Sequence, residues 1–351
     1  ESIPTSLHAL VYPFRFSLLV IFSLIYFSSN AQKARFSFSE QKMGSPLNII
    51  FYAQDSLIAN KQARACFKLV DSLNHIFSNY DSSSELTRIN NNAGIAKSMA
   101  SPLMWELITQ SKEAYIKSKG AYNIAMGPIT HLWRTARRLK KFPTTAQIKE
   151  KLLLCDFNKI QLNNQDHSIY LSDKGMQLDF GGIGKGYIAQ KVVDYLKKEG
   201  VTSSLIDAGG DIVFGDAPPN KKGWIVGVNQ PEQADDLLPE KLQLHNISVA
   251  TSGDVYQFIE HDGKKYSHII DPATGYGVTS LRNVTVIAND GALADWLATA
   301  CSILPINESK KLALSLHAEL LITESVNNQL KRNNTKGFDK YWGLPLIQEK
   351  Q

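Results

Sequence analysis

Apolar positions along the chain change their period several times, and the changes mark out its elements. From Ser56 to Phe77, Ala63, Phe67, Val70, Leu73 and Phe77 recur every three or four residues, which predicts a long amphipathic helix. Ile188, Val192 and Leu196 share one face of another, with Lys197, Lys198 and Gly200 at its end. Leu293, Leu297, Ala300 and Leu304 place a third between Asp290 and Pro305. Ser101-Pro102 opens a helix that closes at Gly120, and shorter helices are expected over 144–154 and 309–316. Strands are expected over 47–52, 203–206, 224–228, 247–253, 284–288 and 319–323. Hairpins are expected at 160–171 and around His261-Asp-Gly263. Helices and strands do not alternate regularly, which argues for α+β rather than a doubly wound sheet. Four stretches lack a clear period. Residues 33–46 read as an irregular lead-in, 78–90 as a polar turn region, and 232–240 as an acidic loop. The C-terminus reads as loosely held apart from 338–342.

Composition adds little to that picture. The chain has 351 residues, 43% hydrophobic and 20% charged, with a net charge of +5. That is enough chain for a large core or two subdomains. The cations at Arg134, Arg137, Arg138, Lys140 and Lys141 read as a solvated face that could meet an acidic partner. They lack the aromatic interleaving of a nucleic-acid surface. Arg15, the apolar stretch 16–27 and Ser29-Asn-Ala31 have the order of a secretory signal peptide, so 1–31 is set aside from the fold and export is expected. An uncleaved anchor is the alternative. Cys66, Cys155 and Cys301 are odd in number and set among apolar residues, which predicts buried free thiols rather than a disulfide framework or a zinc site.

Candidate chemistry centres on Gln177-Leu-Asp-Phe-Gly-Gly-Ile-Gly-Lys-Gly-Tyr187, where a short apolar run ends in Asp179 and leads through four glycines and Lys185 into a helix. Such a corner suits a tight strand-to-helix turn or a phosphate cradle alike. Asp295 and Thr299 lie one helical turn apart and offer two hard oxygens to Mg²⁺, or simply face solvent. The Ala298 carbonyl would add a third oxygen only if the helix ladder loosens there. Tyr80 is a surface ring or a platform for a planar ligand. Asp179 and Asp211 sit at strand-to-glycine junctions and cap turns or touch a ligand. His268 ends a strand beside Asp271-Pro272, where a lone histidine is more often structural than catalytic.

In order, Met43-Gly-Ser, 80–90, Gly120-Ala-Tyr-Asn to Pro128, Leu178 to Gly186, Asp207-Ala-Gly-Gly-Asp211, Ala250-Thr-Ser-Gly-Asp254, His268-Ile-Ile-Asp-Pro-Ala-Thr-Gly275 and Ala294-Asp-Trp-Leu-Ala-Thr-Ala300 resemble the successive signatures of the ApbE family, the FAD:protein FMN transferases. The resemblance covers about residues 40–325 and implies an α+β, T-fold-related architecture. Mixed sheets would pack with helices in two interleaved subdomains, with the transferase domain at 47–325 and an extension at 326–351. It implies an exported, periplasmic or envelope enzyme that binds FAD and Mg²⁺, transfers FMN to a Thr or Ser hydroxyl of an acceptor flavoprotein, and releases AMP. FAD hydrolysis to FMN and AMP, or simple flavin carriage, are the alternatives. Family metal ligands fall on the Gly182 and Ala298 carbonyls and the Asp295 and Thr299 side chains. Family FAD contacts fall on Met43, Tyr80, Ala121, Tyr122, Asn123, Asp179, Lys185 and the segment from His268 to Ile270. His268 is the candidate base for the incoming hydroxyl. Three positions depart from the pattern: Asn123 stands for an acidic residue, Gly184 for a small one such as Ala, and Asp207 for Asn.

Overall fold

The computed structural model describes residues 33–231, 237–253, 257–280, 282–326 and 329–343. The expected leader, Asp254, and the acidic stretch 232–236 lie outside them.

The stretch expected to be an irregular lead-in is a strand. β1 (Ala34–Lys42) pairs antiparallel with β2 (Ser45–Ala53) along its whole length. Met43 and Gly44 join them with φ of 52° and 76°, the two left-handed residues of a tight hairpin turn. α1 (Ser56–Phe77) follows with Asp55 as N-cap, and the periodic residues Ala63, Phe67, Val70, Leu73 and Phe77 are all buried. Next come α2 (Glu85–Asn91), β3 (Ser98–Met99) and α3 (Pro102–Lys117), the last capped by Ser101. The charged stretch is α4 (Gly127–Leu139), started by Pro128; α5 (Thr145–Leu152) and the hairpin of β4 (Ile160–Asn163) and β5 (Ser168–Leu171) follow.

The second half runs α6 (Gly184–Lys198), β6 (Ser204–Ala208), β7 (Asp211–Phe214), β8 (Trp224–Asn229), β9 (Leu237–Leu244) and β10 (Ser248–Ser252). Residues 237–240 therefore belong to a strand, not to a loop. The hairpin β11 (Phe258–His261) and β12 (Lys264–Ser267) leads to β13 (Arg282–Ala288), α7 (Gly291–Ile303), α8 (Ile306–Ser315), β14 (Glu319–Val326) and β15 (Gln329–Asn334). β15 pairs with β14 from Leu321↔Asn334 to Val326↔Gln329, and Phe338 beyond it is fully buried. The C-terminal stretch is thus part of the fold through residue 342, where Trp342 bridges Leu242.

One sheet organises these elements, in the order β1-β2-β6-β7-β10-β13-β14-β15. The expectation of mixed sheets narrows to antiparallel ones, since every ladder among the described residues is antiparallel. Neighbouring residues of one strand point to opposite faces. Ala250 of β10 and Val286 of β13 join the core under α1, α6 and α7. Val249 and Ile287, one residue away, join a second core with Trp224, Leu242 and Phe338. A third cluster gathers Trp133 of α4, Ile148 of α5 and Ile259 of β11. Lys33–Gln351 forms one compact unit. The three cysteines are buried and unpaired, as composition suggested, and burial pushes the Cys66 thiol up to about 12.

Candidate active site

The glycine corner is built without a preceding strand. Residues 176–180 are irregular, and their backbone is held from far away in the sequence. Asn90 accepts from the Leu178 N–H at 2.7 Å and donates to its carbonyl at 3.1 Å; the Asp179 N–H reaches the Ile124 carbonyl. One amide side chain thus does what a neighbouring strand would do, satisfying both backbone groups.

The head of α6 meets α7 at a glycine–glycine crossing. A Cβ on Gly186 would lie 2.1 Å from the Gly291 carbonyl oxygen, and one on Gly291 would lie 2.3 Å from that of Gly186. This close approach lets Asp295 on α7 accept from the Gly186 N–H at 3.0 Å, so a carboxylate from one helix caps the positive end of another. Asp295 is buried, and burial together with the Asp211 charge pushes its carboxyl up, against the pull of Lys185 and the N–H groups of α6. Lys185 bridges to Asp211 at 2.6 Å. Burial works against the Lys185 ammonium, but Asp211, Asp295 and Asp207 outweigh it and raise its pKa.

Thr299 lies one turn beyond Asp295 and against the corner, because a Cβ on Gly182 would be 2.9 Å from its Oγ1. Asp295, Thr299 and Gly182 therefore share one place, with Ala298 between the two side-chain ligands on α7. The Ala298 carbonyl already accepts from the Ser302 hydroxyl at 2.9 Å. No group of three or more His, Cys, Asp and Glu side chains suited to a metal occurs among the described residues. The donors present are all hard oxygens, and two buried carboxylates share one ammonium. That set and that excess of negative charge fit Mg²⁺.

The other expected residues lie along the same corner. Asp179 accepts from the Gly181 N–H at 2.8 Å and from the Thr130 hydroxyl at 2.7 Å, and sits 3.4 Å from an Arg134 guanidinium nitrogen. That guanidinium lies 4.1 Å over the Tyr80 ring, which is 77% exposed and so keeps its outer face open. The hairpin tip at Met43 approaches from β1 and β2. A Cβ on Gly209 would strike Ser45, and Lys185 lies 3.5 Å from the Gly209 carbonyl. Tyr122 is buried, 6.0 Å from the Trp296 ring, and the charges of Asp295 and Asp179 add to burial in raising its hydroxyl pKa. Ala121 is half-buried beside it, packed on the main core. Ile270 is buried with Trp133 in the third cluster, so its side chain is committed to packing. The loop after it is tied to α4 by the Trp133 Nε1–Gly275 carbonyl bond of 2.8 Å.

The departures from the family pattern have local explanations. Asn123 caps the Ala125 N–H through Oδ1 and donates from Nδ2 to the Cys155 carbonyl, a bond an aspartate has no proton to make. A Cβ on Gly184 would meet only Phe180 Cβ at 3.7 Å, an ordinary contact. Asp207 accepts from the Gly210 N–H and from Asn48 Nδ2, so the turn needs acceptors and a carboxylate serves.

The solvated-face reading of 131–141 fails for two residues. Arg138 and Lys140 are exposed, but Arg134 and Arg137 turn inward, and Arg137 Nη1 is fully buried. The signal was present: Ile129, Trp133 and Ala136 supply a helical apolar stripe after Pro128, and Arg134 and Arg137 flank it.

His268 is half-buried, and its Nδ1 is fully buried with no hydrogen-bond partner among the described residues. Burial, then the charges of Arg137 and Lys185, bring its pKa from 6.5 down to about 4, against an opposing pull from the Gln257 carbonyl. The imidazole is therefore neutral at pH 7 and can accept a proton. Between about pH 6.5 and 4 the unfolded chain binds more protons than the folded one. Stability is thus complete above about pH 6.5 and declines as the pH falls toward 4, by about 3 kcal/mol in all. Urea midpoints measured from pH 7.5 to 5 are expected to fall more steeply for the native protein than for His268→Gln. Parallel curves would show that His268 titrates normally.

The ApbE family profile matches residues 43–322. A Klebsiella pneumoniae protein named FAD:protein FMN transferase is 32% identical over 262 residues, 74% of this chain and 79% of its own. A Treponema pallidum protein of the same name is 33% identical, over 69% of this chain and 71% of its own. The flavin transferase ApbE structure from Vibrio cholerae superposes with a TM-score of 0.79 at 22% identity, over 88% of this chain and 99% of that one. An ApbE protein from Thermotoga maritima gives the same TM-score at 24% identity and the same coverage. At these identities the two structures speak to the fold, and the α+β architecture is theirs. With most of its length matched by one family profile, this chain belongs to the ApbE family.

Proposed function

We propose that this protein is an Mg²⁺-dependent FAD:protein FMN transferase. The carrying observation is the buried Asp295 at the head of α6, with Thr299 one turn on and the Gly182 backbone against it. The names of its relatives supply the reaction. Bound Mg²⁺, held by Asp295, Thr299 and the Gly182 and Ala298 carbonyls, would neutralise charge on the diphosphate. Met43, Tyr80, the 121–123 loop, Asp179 and the backbone from His268 to Ile270 bind the flavin nucleotide. Lys185, held at the corner by Asp211, adds positive charge where the scissile linkage lies. The acceptor's Thr or Ser oxygen bonds to the FMN phosphorus as the bond to the AMP oxygen breaks. His268, neutral and with its Nδ1 buried, takes the hydroxyl proton, and AMP leaves. The leader-like order of residues 1–31 supports export, with a periplasmic or membrane redox protein as the acceptor.

Incubation with FAD, Mg²⁺ and periplasmic extract, followed by mass spectrometry, is expected to reveal FMN esterified to a hydroxyl side chain. Magnesium-dependent AMP release with no labelled protein would indicate a hydrolase. FAD binding with neither product would indicate a carrier.

Tyr80 offers a separate check. An aromatic platform contributes about 0.5–1.5 kcal/mol, so Tyr80→Ala is expected to weaken FAD binding roughly three- to tenfold. Turnover of the saturated enzyme should change less. Unchanged affinity would make Tyr80 an ordinary surface ring.

A further inference from the structure

Arg134 and Arg137 lie three residues apart on α4, close enough to share a face. Arg134 is placed between the Tyr80 ring and Asp179. Asp179 Oδ2 already accepts from Thr130, and the contact with Arg134 is long at 3.4 Å. Arg137 has less. Its Nη1 is buried and has no hydrogen-bond partner among the described residues. Burial is the main influence disfavouring its charge, and the neighbouring Arg134 adds to it. The charges of Arg137 and Lys185 both disfavour protonation of His268.

A buried, unsatisfied donor costs roughly 1–3 kcal/mol, and more when charged. Folding alone gives no reason to keep one, since a methionine would fill the same space without the penalty. Such groups persist where a ligand supplies the missing acceptor. Arg134 has Asp179 beside it, while Arg137 has no carboxylate within ion-pair distance among the described residues, so the acceptor that completes the set is anionic. Arg137 stands one helical turn from Arg134, whose neighbours Tyr80 and Asp179 are both residues of the proposed flavin nucleotide site.

We propose that Arg137 binds the diphosphate of the flavin dinucleotide, donating its buried Nη1–H to a phosphate oxygen. Arg134 is the positioning residue that holds the Tyr80 platform beside it. The inference rests on the reading of this site as an FAD site. It adds a phosphate contact from α4.

The test uses Arg137→Met, which keeps the stem and removes the fork, and Arg137→Lys, which keeps the charge. Affinities for FAD and for riboflavin, which has the same ring system and no phosphate, are measured by flavin fluorescence with Mg²⁺ present. Melting temperature is measured without flavin. The loss of a charged hydrogen bond predicts FAD binding about 10- to 100-fold weaker in Arg137→Met. Riboflavin binding should be unchanged, the melting temperature should hold or rise, and Arg137→Lys should recover part of the affinity. A lower melting temperature with native FAD affinity would make Arg137 structural and overturn the proposal. Equal losses for FAD and riboflavin would place the contact on the ring and overturn it too. If the native protein bound neither flavin, the transferase reading would fail first and the proposal with it.

Discussion

Asp295→Ala is expected to abolish FMN transfer, a fall of roughly a thousandfold or more, while leaving the fold in place. The side chain is buried at the one point where the head of α6, the glycine corner and Thr299 converge. Its loss removes the proposed cation's only carboxylate ligand. It also removes an acceptor from the Gly186 N–H, which by itself costs about 1 kcal/mol. Against that, the variant no longer places two carboxylates, Asp295 and Asp211, around one lysine. The two effects oppose each other, so the melting temperature should move by only a few degrees. Asp295→Asn sharpens the result, because its amide oxygen can still accept from Gly186 while the charge is gone. Transfer by Asp295→Asn at the native rate would remove the carboxylate from the account.

Gly186→Ala is expected to be strongly destabilising. Its Cβ would lie 2.1 Å from the Gly291 carbonyl oxygen, 2.7 Å from the carbonyl carbon and 2.8 Å from Asp295 Cβ. Two of those atoms are backbone, so no rotamer change relieves the clash and α6 must move off α7. Overpacking of this kind costs about 3 kcal/mol or more. Activity should fall with stability, because Asp295 is seated by the same crossing. Gly184→Ala, two residues earlier, is the control. Its Cβ meets nothing closer than 3.7 Å, so it should be neutral or slightly stabilising. Similar denaturation midpoints for the two variants would mean that the helices are not held by this contact.

Legibility in the sequence followed burial. α1 was readable to its last residue, because a cap at Asp55 and an apolar stripe to Phe77 agree. α7 was readable for the same reason, between the Asp290 cap and Pro305. The outer strands were not. β1 and β15 form the two edges of the large sheet, and their side chains are exposed or half-buried; β1 alternates only briefly, at Phe36 and Phe38, and β15 not at all. Their Arg35, Lys42, Lys331 and Arg332 are what an edge needs to discourage further pairing, and they make it look like loop. The run before the glycines misled in the opposite direction. It is apolar enough for a strand, yet its backbone partners are the Asn90 side chain and the Ile124 carbonyl, which no local pattern predicts.

The site was legible as separate pieces rather than as a place. The Asp295–Thr299 step follows from helical spacing, and the glycines show where backbone must come close. That Gly182 lies against Thr299 depends on a helix crossing between residues 186 and 291. Arg134 and Arg137 were read as solvated because charge usually is. The inward turn of Arg134 depends on Tyr80 and Asp179 arriving from other parts of the chain.

The most direct measurement pairs AMP release with the mass of a purified acceptor domain, using native protein and Asp295→Asn, with Mg²⁺ or with chelator. The account predicts one AMP for each FMN added to an acceptor hydroxyl, by the native protein with Mg²⁺ alone. Acceptor labelling that survives the chelator and the Asn substitution would contradict it.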